Sequence, residues 1–395
     1  MTASRTRRPE RPARGTRPAN RRELIIAAAT ELYLRDGYAA VAMKDVADAV
    51  AIGPSALYRH FSGKQDLLYA VVAEALRTVE AVLDELLADP AADPADALAA
   101  TMLAHRGVGV IWRSESRHLG RDARTELRRQ LRGIVARLTE IQRLRRPELD
   151  PAQAEYLAWC LLAVTTSVSY HHLELPADRF LRLIADLSRA ATAVALPPLS
   201  PAARHEPAPA WSPNRREAIL RAATRLFARD GFTSVGIEDI GAAVGIAGPS
   251  VYNHFSSKSD ILTAAMLRGN DLLRADMIRR LDRARDAADA ADSLITSYCA
   301  FAMDYPDLIR LLVSEIDQLP PDDRHDSRVA QHAYIDEWSQ LLRELHPAWD
   351  PTETRIRVHA ALTVVNDTAA TAHLRALENI GTAAVAVCRA LLRTR

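Results

Sequence analysis

Two short runs carry the most informative chemistry in the chain. Tyr58-Arg59-His60-Phe61 is followed by Lys64, and Tyr252-Asn253-His254-Phe255 is followed by Lys258. Each run sets a phenol, an imidazole and an amine close together, with either a guanidinium or an amide between them. Such groups donate to phosphate oxygens and to base edges. Arginine suits the N7 and O6 of guanine, whereas asparagine suits adenine. Ser55 and Ala56 precede the first run, and Pro249 and Ser250 precede the second. Chemistry of other kinds is missing: there is no GxSxG, no HExxH, no phosphate-binding loop and no GxGxxG between a strand and a helix. The sequence therefore reads as a non-enzyme, with neither cofactor nor metal expected.

The elements that must position these residues occur twice. Residues 21–69 align without a gap on residues 215–263, at a constant offset of 194. Roughly 23 of the 49 positions are identical, far beyond chance. A weaker echo follows at an offset of 200, through Ser114-Glu115 with Ser314-Glu315 and Asp150-Pro151 with Asp350-Pro351. About six residues have therefore entered the second copy between those points. In the first copy Ile25, Ala28, Ala29, Leu32 and Tyr33 recur at helical spacing, predicting a helix over 21–35 that Gly37 ends. A short helix over 43–50, a turn at Ala51-Ile52-Gly53 and a third helix opened by Pro54 follow. Ser62 is the expected cap of a longer helix from Lys64, and the second copy follows the same plan through Ser256. Two short helices joined by a tight turn present one exposed face to a DNA major groove.

These segments, DGYAAVAMKDVADAVAIGPSALYRHFSGKQDLL and DGFTSVGIEDIGAAVGIAGPSVYNHFSSKSDIL, resemble the DNA-binding domain of TetR-family regulators. The layout is similar to the tandem TetR-type regulators of actinobacteria. The resemblance implies an all-α protein of about nine helices per repeat, each a three-helix DNA-binding unit followed by a helical ligand-binding and dimerisation region. It implies double-stranded DNA as partner, contacts from Tyr58, Tyr252, Lys64 and Lys258 to phosphates, and repression as the usual outcome. Serine is usual at the start of the recognition helix; Gly53 and Ala247 stand there. Ala51 replaces the usual glycine of the turn, which Gly245 keeps.

Composition agrees with helices: 48% of residues are hydrophobic, only 5% aromatic, and there are 15 glycines. Cys160, Cys299 and Cys388 lie far apart, so neither a disulfide framework nor a thiolate zinc site is expected, and a reduced, cytoplasmic protein is. No run is long and apolar enough for a membrane span. The net charge of +1 hides a basic arm over 1–20 that runs into Arg21 and Arg22; residues 1–22 carry about +7. Arg17, Arg21 and Arg22 are the arm's expected phosphate contacts, with a solubilising leader as the alternative. Heads over 21–63 and 214–257 and helical regions over 64–195 and 258–395 complete the expected plan. Between them, 196–213 is proline-rich and reads as an extended linker able to span roughly 60 Å.

In the helical regions, candidates for a small apolar or amphipathic effector are His105, Trp112, Glu115, Trp159 and His172 in the first copy. In the second they are Tyr298, Phe301, Glu315, Trp338, His359 and Asn366. A core role competes for the aromatic residues, and an internal ion pair competes for the two glutamates. Long apolar stripes after Asp150-Pro151 and Asp350-Pro351 suit bundle packing. They predict that the two copies pair within one chain, as a monomeric pseudo-dimer; a dimer of chains with four heads is the alternative. Unlike residues at Arg59 and Asn253 predict an operator with two unlike half-sites. Two readings compete: one copy serves only as a non-DNA-binding partner, or the protein coats DNA without specificity.

Overall fold

The computed structural model describes residues 20–111, 118–202 and 214–393. Arg17 and the basic arm, the segment holding Trp112 and Glu115, and most of the proline-rich linker lie outside the described residues. The described residues are all-α, apart from one β-bridge between Pro201 and Leu377.

The first repeat runs α1 (Arg21–Asp36), α2 (Met43–Ala49), α3 (Pro54–Leu57), α4 (Lys64–Ala88), α5 (Pro94–Ala104), α6 (Gly107–Val110), α7 (Arg121–Arg145), α8 (Pro151–Thr166) and α9 (Ala177–Thr192). The second runs α10 (Arg215–Asp230), α11 (Ile237–Ala243), α12 (Lys258–Leu281), α13 (Ala287–Asp304), α14 (Pro306–Ser314), α15 (Pro321–Leu345), α16 (Pro351–Ala370), α17 (Ala372–Arg375) and α18 (Ile380–Arg393).

Local chemistry sets these boundaries. Gly37 and Gly231 end α1 and α10 at φ 79° and 85°, where a side chain would be strained. Asp150 and Asp350 cap α8 and α16 by accepting from backbone N–H groups of the first turn, and proline follows each. The caps of α4 and α12 differ from the expectation by one residue. Ser257, not Ser256, accepts from Asp260 N at 3.0 Å. Gly63 fills that place in the first repeat, so α4 has no side-chain cap, and Ser62 instead donates to Asp66 from its N–H and its hydroxyl. The residues added in the second repeat form about two further turns of helix: α5 has 11 residues and α13 has 18.

The two repeats meet through α8 and α9 against α16 and α18, a four-helix seam built on the apolar stripes that follow Asp150-Pro151 and Asp350-Pro351. Tyr156, Leu161 and Val164 of α8 and Ile356, Ala360 and Val364 of α16 are buried there in one continuous core. Arg179 reaches Glu353 at 2.8 Å across the seam, and His373 reaches Glu155 at 2.9 Å. Trp159 packs beside His373. The three cysteines, scattered in sequence, are all buried; Cys388 Sγ donates to Ala361 O at 3.7 Å, and Cys299 and Cys160 lie near enough to raise its pKa. The described start of the linker is pinned to this core: Ser200 O accepts from Glu378 N, and Ala202 N donates to Ala376 O, both at 2.8 Å.

The second head has a separate core. Ile219, Phe227, Ile240, Val251 and Phe255 cluster with Leu311 and Leu312 of α14, apart from the core that joins the first head to both helical regions.

Candidate nucleic-acid interface

Each head is built so that two side chains anchor its reading segment and the rest face out. In the first, Leu57 and Phe61 are buried; in the second, Val251 and Phe255 are. Residues between the anchors must then point away from the core. Tyr58 is 53% exposed and Tyr252 is 54% exposed. Ser55, Arg59 and His60 are exposed, and Ala56 is half-buried. Pro249 and Asn253 are exposed, and Ser250 and His254 are half-buried. All ten predicted reading residues thus lie on one short segment per head. Arg22 stacks its guanidinium over Phe61 at 5.1 Å, and Arg216 does the same over Phe255 at 4.3 Å. Arg21 is half-buried beside Arg22 at the start of α1.

The two segments differ in backbone. The first is a single α turn, Pro54–Leu57, while the second is a 3-10 turn, Gly248–Asn253. Glycines explain the difference. A Cβ on Gly241 would lie 2.8 Å from Ile246 O and 3.0 Å from Gly248 Cα, and one on Gly248 would lie 3.2 Å from Glu238 Cα. The second segment therefore packs closer to α11 than Ala47 and Pro54 would allow in the first. The turn itself is shared: Ile52 N donates to Ala47 O at 3.0 Å and Ile246 N to Gly241 O at 2.9 Å. Gly245 adopts φ 70° there, and Ala51 is forced to φ 55°.

The lysines face the other way from the sequence expectation. Lys258 Nζ donates to Phe232 O at 2.8 Å and Val235 O at 2.9 Å and sits over the Phe232 ring. Burial lowers its pKa. Lys64 Nζ donates to Ala39 O at 3.1 Å over the Tyr38 ring. Each amine clasps the segment that follows the glycine ending the head's first helix; Phe232 O also accepts from Val235 N at 3.4 Å. A second clasp holds the same loop of the second head. Glu315 is 4% exposed and accepts from Phe232 N at 3.4 Å.

Residues 25–71 and 219–265, covering both heads, match the family described as "Bacterial regulatory proteins, tetR family". The chain thus carries two TetR-type DNA-binding domains in tandem. Among curated relatives it is similar to an uncharacterised HTH-type transcriptional regulator of Mycobacterium tuberculosis, 31% identical over 23% of this chain and 41% of the relative. It is also similar to the HTH-type transcriptional activator FasR of Mycolicibacterium smegmatis, 39% identical over 16% of this chain and 32% of the relative. The chain thus spans less than half the length of these relatives. Solved structures similar to it include a TetR-family regulator from Thermus thermophilus, with TM-score 0.41, 20% identity, and coverage of 46% of this chain and 97% of that one. Another is from Bordetella parapertussis, with TM-score 0.38, 22% identity, and coverage of 40% and 83%.

The TetR-type heads sit on helical regions, and the second region encloses a cavity of about 430 Å³. Tyr298, His359 and Asn366 line it, three of the predicted effector residues; Tyr298 donates to Asn366 Oδ1 at 2.7 Å. The other described candidates lie elsewhere. Trp338 is buried behind the cavity against Tyr298 and Tyr334, and Phe301 packs on Tyr305. Glu315 accepts from Phe232 N in the loop clasp and does not line the cavity. Trp159 is at the seam; His105 is an exposed helix end, and His172 is exposed. Sequence reasoning missed Asn270, Tyr334 and Tyr170 in the cavity wall. A polar residue on the inner face of α12 was the available signal for Asn270. Tyr170 comes from the first repeat, so the cavity touches the seam. There His359 and His171 approach to 4.8 Å between ring centroids. Burial lowers His359 to about 4, helped by Arg355, and lowers His171 to about 3, helped by His359 and Arg106. Among the described residues no cluster of His, Cys, Asp or Glu could hold a metal, and no helix is long and apolar enough to cross a membrane.

Proposed function

We propose that the chain is a ligand-responsive DNA-binding transcriptional regulator that grips one operator with both heads. The observation that carries this reading is the paired exposure of Tyr58 and Tyr252 on segments whose neighbouring anchors are buried, with Arg59 and Asn253 at the matching outward position. Tyrosine hydroxyls fix each segment on phosphates. Arg59 and Asn253 then meet different bases, so the operator has two unlike half-sites. Arg17, Arg21 and Arg22 add a salt-sensitive, sequence-tolerant contribution beside the first head. The cross-seam pairing of α8 and α9 with α16 and α18 supports a monomer acting as an intrachain pseudo-dimer.

The effector is a small apolar or amphipathic molecule in the second repeat's cavity. Leu312, Val313 and Ile316 line that cavity and flank Glu315, which holds the loop of the second head. Filling the cavity thus acts on the head through one continuous segment. Repression by occlusion follows from a two-headed grip on a promoter; the relative from M. smegmatis is an activator, so a reporter assay decides the direction. Footprinting on DNA flanking the protein's own gene tests the whole reading. It predicts two protected half-sites of different sequence. A perfect inverted repeat would reject the unlike half-sites, and no protection at moderate salt would reject the regulator.

A further inference from the structure

The cavity's polar groups specify what it takes. Its walls are largely apolar, from residues such as Leu273, Met277, Ile309 and Leu362. Arg274 and Glu337 are its charged lining residues, of opposite sign, and both are exposed. The inner polar groups are neutral and mostly engaged. Tyr298 donates to Asn366, Thr363 donates to the carbonyl of its own helix at His359, and Gln331 donates to Leu312 O. The His359 ring is held uncharged by burial. One inner group stands out: Asn270 Nδ2 is buried and has no hydrogen-bond acceptor. An orphaned donor of this kind is destabilising until an acceptor reaches it.

We infer that the cavity binds an uncharged, largely apolar molecule whose carbonyl or hydroxyl oxygen accepts from Asn270 Nδ2. A charged head buried among these walls would lose its hydration without an opposite charge to replace it. At about 30 Å³ per heavy atom the space suits a molecule of roughly a dozen heavy atoms. Tyr170 brings the first repeat against the same molecule, so one ligand contacts both repeats. This inference rests on reading the second repeat as the sensor, but not on operator binding.

Calorimetry on the intact, DNA-free chain tests it with three probes of equal chain length: 2-dodecanone, dodecanoate and dodecyltrimethylammonium. The ketone is expected to bind at least tenfold tighter than either ion. Asn270→Leu should weaken the ketone about fivefold to tenfold and leave the thermal midpoint near or above that of the parent. Asn270→Asp keeps the shape and removes the donor, so it should also weaken the ketone if the leucine variant fails to fold. Tighter binding of either ion, no binding of any probe, or undiminished ketone binding by a folded Asn270 variant would overturn the proposal. Loss of footprinting with ketone binding intact would instead reject the regulator reading and leave the cavity's chemistry standing.

Discussion

Ala51 shows what one residue costs a head. Its φ of 55° lies in the left-handed region, which penalises a Cβ by roughly 1–2 kcal/mol. Gly245 meets the same demand without strain. Ala51→Gly should therefore stabilise the first head, by about 0.5–1 kcal/mol after the greater freedom of glycine in the unfolded chain is counted. Urea unfolding checks this, and a lower midpoint would contradict it. The lysines make a second residue-scale case. Their place beside the reading segment was legible in sequence, whereas their direction was not. The acceptors are backbone carbonyls of Ala39, Phe232 and Val235, and backbone groups leave no trace in side-chain pattern. Lys258→Met removes two such bonds and Lys64→Met removes one. The first should lower head stability and DNA affinity more than the second, by about fivefold in affinity if the additional bond contributes about 1 kcal/mol. Hydrogen exchange of the Phe232–Val235 loop separates this from phosphate contact. A clasp predicts faster exchange in the variant without DNA, and pure phosphate contact predicts no change.

The helices themselves were largely readable. Glycine stops, aspartate caps and proline starts placed α1, α8, α10 and α16 to within a residue or two, because these signals act locally. What sequence could not place was anything decided by packing between helices. The six added residues became two turns of α13, the three thiols gathered at one seam, and Glu315 turned to a loop rather than a ligand. The paired histidines are another product of packing, and they make the seam sensitive to acid. His171 and His359 are buried neutral, with Arg106, Arg355, His332 and His172 opposing their protonation and Phe180 stacked on His171. Their folded values, about 3 and about 4, lie below the ordinary value of 6.5. Between roughly pH 6.5 and 4 the unfolded chain takes up protons that the folded chain refuses, so stability falls as pH falls. It is unaffected by these groups above about pH 7. The slope is up to about 1.4 kcal/mol per pH unit for each histidine. Urea midpoints at pH 7.5, 6 and 5 measure this, and His171→Gln should remove about half of the slope. Equal slopes in parent and variant would contradict the seam's role.

At the scale of the molecule, the repeat made the plan visible: an alignment of 49 positions without a gap cannot arise without two copies of one unit. The asymmetry between the copies was only partly visible. Arg59 against Asn253 could be read directly. The α turn against the 3-10 turn, and the second head's separate core leaning on α14, are set by packing that the side-chain pattern does not carry. Together they describe a chain whose first head is joined to the common core and whose second is held by Lys258 and by Glu315 beside the cavity. The central claim is that both heads bind DNA at once from one chain. Titrating a footprinted operator fragment with the parent, Tyr58→Ala and Tyr252→Ala, under light scattering, tests it most directly. The account predicts one chain per operator and a loss of at least tenfold in affinity for each variant. Two chains per operator, or a variant that binds as tightly as the parent, would contradict it.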